Sequence, residues 1–208
     1  MDWAFIHQLE TRLQQPLPGA AVQYKMAHAA RRTPMPTVPD TARQAGVLAL
    51  FYPKELGWHI VLIERDASNP RDRHGGQISF PGGKFEESDT TLTHTALREA
   101  QEEIGVVSSE VQILGALTPL YIPVSNFQVN PVVGFVDYKP QFIPQQQEVH
   151  SILEVPFSLF QSPSTVQSTD LRIAQNITLK EVPYYHVFGK IVWGATAMML
   201  SELIEICS

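Results

Sequence analysis

The stretch GGKFEESDTTLTHTALREAQEEIGV, residues 82–106, decides how the rest of the chain is understood. At about 100° per residue, Leu92, Ala96, Leu97, Ala100 and Ile104 fall on one arc wide enough to face a core. The pattern predicts a helix over Asp89–Ile104, with Ser88 or Asp89 as N-cap and Gly105 just past its end. Glu99 and Glu103 stand one turn apart at the edge of that arc, and Glu102 lies beside them. Like charges at this spacing cost an isolated helix ~0.2–0.5 kcal/mol per pair. A divalent cation reverses the sign, and an all-oxygen ligand set suits magnesium or manganese. For an EAQEE segment taken alone, a solvated acidic face is the plainer reading. The preceding Pro81-Gly82-Gly83 weighs against it, because glycines let the backbone approach a ligand where the acids leave the core.

Working outward, Ala45–Tyr52 and Trp58–Glu64 read as strands joined by a turn over residues 53–57. Val111–Leu117 and Val129–Tyr138 read as further strands. Glu148–Val155 is open between types, and Pro156–Phe160 reads as a short helical turn. Tyr184–Phe188 is a strand candidate, and Trp193–Ile206 a largely apolar final helix. At the other end, Asp2–Gln15 has helical spacing and is stopped by Pro16, Pro18 and Gly19. Pro34, Pro36 and Pro39 then mark an irregular connector. Strands surrounding two main helices predict an α/β sandwich. One domain is expected over 1–208, with 1–40 as an N-terminal helix and irregular extension.

Composition sets the outer limits. With 208 residues, 44% apolar and 17% charged, the chain has the make-up of a globular domain and not of a disordered one. No apolar run reaches the roughly 20 residues needed to cross a bilayer, and the start lacks a basic segment followed by an apolar one. The single cysteine, Cys207, makes no internal disulfide, so a cytoplasmic location is expected. Fifteen basic against 21 acidic residues leave a formal charge of -6, which argues against a protein that coats nucleic acid. If such a chain acts on an anionic substrate, something other than its net charge must attract it.

The 82–106 stretch resembles the box of the Nudix hydrolase family. Arg98-Glu99-Ala100-Gln101-Glu102-Glu103-Ile104-Gly105-Val106 matches the box's second half, with alanine in its aliphatic slot. In the first half, the family's glutamate falls on Thr90 and its glycine on Lys84. One inserted residue restores Gly83 and brings Asp89 to the acidic place. The resemblance implies an α/β/α sandwich with a mixed sheet and the box as loop-helix-loop. It implies Glu99 and Glu103 as principal metal ligands, with Glu102 a further direct or water-mediated one. Arg98 would then pair with an acid of the preceding loop, Asp89.

A second resemblance is to the coenzyme A pyrophosphatase branch of that family. It rests on Leu62, Arg65, Arg71, Gly76 and Phe80–Gly83, and on Pro16–Gly19, Lys25–Ala27 and Trp193–Ala197. The activity implied is metal-dependent hydrolysis of coenzyme A or its derivatives to 3′,5′-ADP and 4′-phosphopantetheine species. Arg71, Arg73 and Lys84, with the Gly82-Gly83 backbone, are the expected substrate contacts, since guanidinium and ammonium groups bind phosphate oxygens. Either Glu99 or Glu148 would take the proton of the attacking water. The alternatives are another nucleoside diphosphate derivative such as ADP-ribose, or a nucleotide-sensing module without catalysis. The expected partner is a small nucleotide-like substrate, not nucleic acid or a membrane, and a homodimer is left open.

Overall fold

The computed structural model describes residues 2–32, 36–55, 57–68, 74–174 and 176–208. Helices α1 (Trp3–Leu13), α2 (Ala20–Gln23) and α3 (Ala29–Arg32) come first. Strands β1 (Arg43–Lys54), β2 (Gly57–Arg65), β3 (Ile78–Ser79) and β4 (Gly82–Lys84) lead into α4 (Leu92–Ile104). Then come β5 (Gln112–Ala116), β6 (Leu120–Ile122), β7 (Phe127–Phe135), β8 (Val149–Pro156) and the short α5 (Phe157–Phe160). The chain ends with β9 (Val166–Ala174), β10 (Ile177–Val187), β11 (Lys190–Trp193) and α6 (Gly194–Ile206).

β1 is the hub of the larger sheet. It runs antiparallel to β2 and β4 and parallel to β7, so the sheet is mixed. Its alternate residues serve two cores, as a strand buried on both faces requires. Ala45, Ala49 and Phe51 join Ile6 and Leu9 of α1 and Met198, Leu200 and Leu203 of α6. Leu48, Leu50 and Tyr52 join Ala96, Ala100 and Ile104 of α4 on the opposite face. Helices thus cover both faces, and the architecture is an α/β/α sandwich. Each fully buried Leu or Ile contributes about 1.5–3 kcal/mol, several times the repulsion of one carboxylate pair. Packing therefore holds α4 in place despite its acidic edge.

The helix begins later than its pattern predicts. Thr91, not Ser88 or Asp89, is the N-cap, its hydroxyl accepting from the His94 amide at 3.1 Å. Asp89 is withdrawn from capping because its carboxylate is taken up by Arg98 and Thr95. Gly105 ends the helix at φ 73°, the left-handed conformation expected of it. The open segment before Pro156 is strand β8, paired to β2. A smaller antiparallel sheet, β11-β10-β9, stands beside the first. The N-terminal segment is tied down by Glu202 of α6, which is fully buried. Its two oxygens accept from Gly19 N, Gln23 Nε2, Thr118 N and Thr118 Oγ1 at 2.6–3.1 Å.

Candidate active site

α4 and β4 bring the acidic box together with the glycine loop. Glu103 is 2% exposed, and its Oε2 accepts from the Gly82 amide at 2.8 Å. Its other oxygen accepts from Arg65 Nη1 at 3.2 Å, at the end of β2. Burial pushes the Glu103 pKa up to about 7, against the pull of the Gly82 amide and Arg65. The charges of Glu99 and Glu148 push it in the same direction as burial. Glu99 also titrates above its ordinary range, first through burial, with Glu102 and Glu148 adding to the rise and Arg98 opposing it.

The two glycines are required by space. A Cβ at Gly83 would lie 2.5–2.6 Å from the carboxylate of Glu99. At Gly82, φ is 150° and a Cβ would lie 2.4 Å from the Gly46 carbonyl oxygen. The close backbone approach expected toward a ligand is therefore made first to the glutamates, which the loop sets in position.

Arg98 organises the other side. Nε and Nη2 donate to the two oxygens of Asp89 at 2.9 and 3.0 Å, and Nη2 also donates to the Lys84 carbonyl at 3.1 Å. It pairs with Glu99 at 3.0 Å and with Glu102, one turn on, at 3.2 Å. Asp89, fully enclosed, also accepts from the Glu86 amide and the Thr95 hydroxyl. Arg98 foremost holds its carboxyl well below the usual carboxylate range. The pairing of Arg98 with a loop acid is made, and Asp89 is that acid.

Of the expected residues, Glu99 and Glu103 are brought together at the α4–β4 junction. Glu148 is exposed just before β8, yet its charge acts on both. Glu102 differs from expectation. Its side chain is 58% exposed and turned to Arg98. Among the described residues, no three acidic, histidine or cysteine side chains gather around one point. The reason is visible in the pairs: Arg98 spans Glu99 and Glu102, while Arg65 and Gly82 draw Glu103 the other way. Lys84 is an exposed side chain whose carbonyl serves Arg98. Arg71 and Arg73 lie outside the described residues.

Two residues of the site were not legible as such. Arg65 stood out only as part of a motif, and its contact with Glu103 depends on where β2 ends. Gly46 lets α4 lie on β1, since a Cβ there would be 2.4 Å from the Leu92 carbonyl oxygen. Elsewhere, a cleft of about 600 Å3 between α1 and the end of α6, lined by His7, Thr11, Arg12 and Glu205, includes none of the box residues.

The site is thus a glycine loop that fixes paired glutamates on one helix of an α/β/α sandwich. The NUDIX domain family model matches residues 42–172, and the chain belongs to the Nudix hydrolases, enzymes that act as pyrophosphohydrolases. Among its curated relatives is an uncharacterized Nudix hydrolase NudL of Pectobacterium atrosepticum. It is 36% identical over 163 residues, covering 77% of this chain and 81% of the relative. The NudL of Yersinia enterocolitica, likewise uncharacterized, is 31% identical over 194 residues, covering 93% and 88%. A solved MutT/nudix family protein from Enterococcus faecalis shares the fold at a TM-score of 0.50 and 14% identity, covering 90% of this chain and 73% of its own. No helix among the described residues is long and apolar enough to cross a membrane.

Proposed function

We propose that this Nudix hydrolase cleaves the pyrophosphate of coenzyme A or its derivatives, giving 3′,5′-ADP and 4′-phosphopantetheine species. The observation that carries hydrolysis is the Glu99–Glu103 pair, held by the Gly82-Gly83 backbone and raised in pKa by burial and by neighbouring acids. Such a pair fits a divalent metal. Its donors are hard oxygens, and its crowded negative charge is relieved by a cation. In this reading Glu99 and Glu103 hold magnesium or manganese, with Glu102 a further ligand at the rim. The metal supplies neutralisation of pyrophosphate charge and a bound water of lowered pKa.

The chain's own residues do the rest. Gly82 aims Glu103 through its amide, and Arg98 fixes Glu99 against the loop acid Asp89. Glu99 is clamped by Arg98, whereas Glu148 is exposed and, among the described residues, has no such clamp, which favours Glu148 to take the proton of the attacking water. Lys84 at the rim, and Arg71 and Arg73 from the sequence, are assigned to phosphate oxygens. The coenzyme A assignment is supported by the Arg65, Arg71, Gly76 and Phe80–Gly83 signature.

The test is direct. Purified protein is incubated with magnesium and a panel of pyrophosphates that includes coenzyme A, ADP-ribose and a dinucleotide, and products are identified by mass. Coenzyme A should be split between its two phosphorus atoms, and a chelator should stop the reaction. A wild type that prefers ADP-ribose would overturn the substrate assignment, and full turnover without metal would overturn the mechanism.

A further inference from the structure

Arg31 and Arg43 both hold the segment that joins β6 to β7, and the charges of Arg31 and Arg32 reach His28, on a chain whose formal charge is -6. Arg31 of α3 donates from Nη2 to the Tyr121 carbonyl at 2.5 Å. Arg43, which opens β1, donates from Nη2 to the Ser125 carbonyl at 2.7 Å and lies 4.0 Å over the Phe127 ring. Arg32 donates to the carbonyls of Ala27 and Lys25 at 2.8 and 3.2 Å. Every one of these acceptors is a neutral backbone carbonyl. Among the described residues, none of the three guanidiniums is paired with a carboxylate. Their neighbour Lys25 makes the contrast, for it pairs with Glu205 at 3.5 Å.

The charges sit close together. The His28 pKa is lowered, first by burial and then by Arg31 and Arg32. Burial likewise presses on Arg31, with Tyr24 as a phenolic partner. The same place holds three buried polar atoms without a partner, His28 Nδ1, Arg31 Nε and Ser125 Oγ. The one other such side-chain atom among the described residues is Ser79 Oγ. Buried polar groups in native proteins find partners, and a cluster of orphans marks where a ligand belongs. Strand register adds a further positive charge on the face of β1 opposite α4. Lys84 is the cross-strand partner of Ala45, and so leaves the sheet on the same face as Arg43 two residues earlier.

We propose that His28, Arg31, Arg32 and Arg43 form a binding site for a phosphate monoester, separate from the carboxylates that act on the pyrophosphate. A guanidinium fork matches phosphate oxygens in pairs, and phosphate also accepts from hydroxyl and imidazole donors such as Ser125 and His28. Two sources share this chemistry: a terminal phosphate carried on the substrate, and a free phosphate or phosphomonoester. The first source rests on the proposed coenzyme A reading, and the phosphate chemistry does not.

Calorimetric titration of the whole chain with inorganic phosphate, without divalent metal and at low salt, tests the site. Wild type should bind, and Arg31→Gln and Arg43→Gln should each bind about tenfold or more weakly, the loss expected of a charge-assisted hydrogen bond. Arg43 is exposed, so Arg43→Gln keeps the test open if the half-buried Arg31→Gln fails to fold, as circular dichroism would report. No binding by wild type, or equal binding by Arg43→Gln, overturns the proposal. Kinetics with coenzyme A and its 3′-dephospho form then assign the source. A rise in KM for coenzyme A alone in Arg43→Gln identifies the substrate's own phosphate. Unchanged KM for both, with phosphate binding still lost, identifies the free phosphate. Failure of wild type to hydrolyse either compound counts against the coenzyme A reading and leaves the calorimetric result standing.

Discussion

Arg98 donates to both oxygens of Asp89, from Nε at 2.9 Å and from Nη2 at 3.0 Å, and so binds the box helix to the loop that precedes it. Asp89 is fully enclosed, while Arg98 is only 18% exposed and carries Glu99 and Glu102 on its remaining edges. One guanidinium therefore fixes the loop, the helix start and a catalytic candidate together.

Asp89→Asn keeps the shape and removes the charge. Breaking one side of an enclosed pair costs on the order of 3 kcal/mol, and urea denaturation at pH 7 should show a loss of that size. The acid limb gives the sign. Arg98 depresses the folded pKa of Asp89, so its contribution is fully present above the ordinary aspartate value near 4. It is lost as pH falls from there through the lower folded value. The gap between wild type and Asp89→Asn should be constant near neutrality and shrink below about pH 4. A gap that widens in acid would contradict the pairing.

How far the sequence carries is seen at this same place. The 3.6-residue period of Leu92, Ala96, Ala100 and Ile104 declares the helix, and Glu99 and Glu103 are legible because they share its edge. The true N-cap was not, since Asp89 is diverted to Arg98 by a contact that local pattern does not contain. Strands β1 and β2 announce themselves through long apolar runs buried on both faces. β9 does not, for VQSTDLRIA lies in the small outer sheet and is polar on much of both faces. Arg65 and Gly46 act through neighbours distant in sequence, and only the assembled sheet brings those neighbours within reach.

Glu103 gives a pH signature of opposite sign. Its folded pKa of about 7 stands above the ordinary glutamate value of 4.5. The folded state thus holds a proton that the unfolded chain has released, and the metal-free protein should lose stability as pH rises from about 4.5 to about 7. Above that window the contribution is flat. Glu103→Gln should flatten the slope to what the raised Glu99 alone contributes, and thermal melts of chelated protein across this range provide the check. The same variant should lower turnover by two or more orders of magnitude, about 2.7 kcal/mol of transition-state stabilisation, with the fold retained.

Glu202 is predicted to matter for stability alone. Four donors from Gly19, Gln23 and Thr118 converge on its buried carboxylate. Glu202→Ala strips the Gly19 amide and both Thr118 donors of this acceptor, while Gln23 Nε2 keeps the Thr118 carbonyl, and should cost on the order of 3 kcal/mol in denaturant unfolding, since each abandoned buried donor costs about 1–3 kcal/mol. Residual folded protein should hydrolyse its substrate at a near-normal rate, because none of these groups touches the box. A specific loss of turnover in fully folded Glu202→Ala would show that the N-terminal segment reaches the site.

Two glycines separate catalysis from folding. A Cβ at Gly83 meets the carboxylate of Glu99, the far end of a flexible side chain, at 2.5–2.6 Å. Gly83→Ala should therefore displace Glu99 with little strain on the backbone, so stability falls by less than about 1 kcal/mol. Misplacing a reacting group by about 1 Å costs roughly a hundredfold in rate, which sets the expected fall in kcat/KM. A Cβ at Gly46 instead meets backbone, the Leu92 carbonyl oxygen at 2.4 Å and the Ala96 nitrogen at 2.9 Å. Gly46→Ala forces α4 away from β1 and should cost about 1–3 kcal/mol or more of stability along with activity. Urea melts paired with kinetics on both variants resolve the two cases. Equal destabilisation by the two substitutions would mean that the Gly83–Glu99 contact supports the fold and does not position the carboxylate for chemistry.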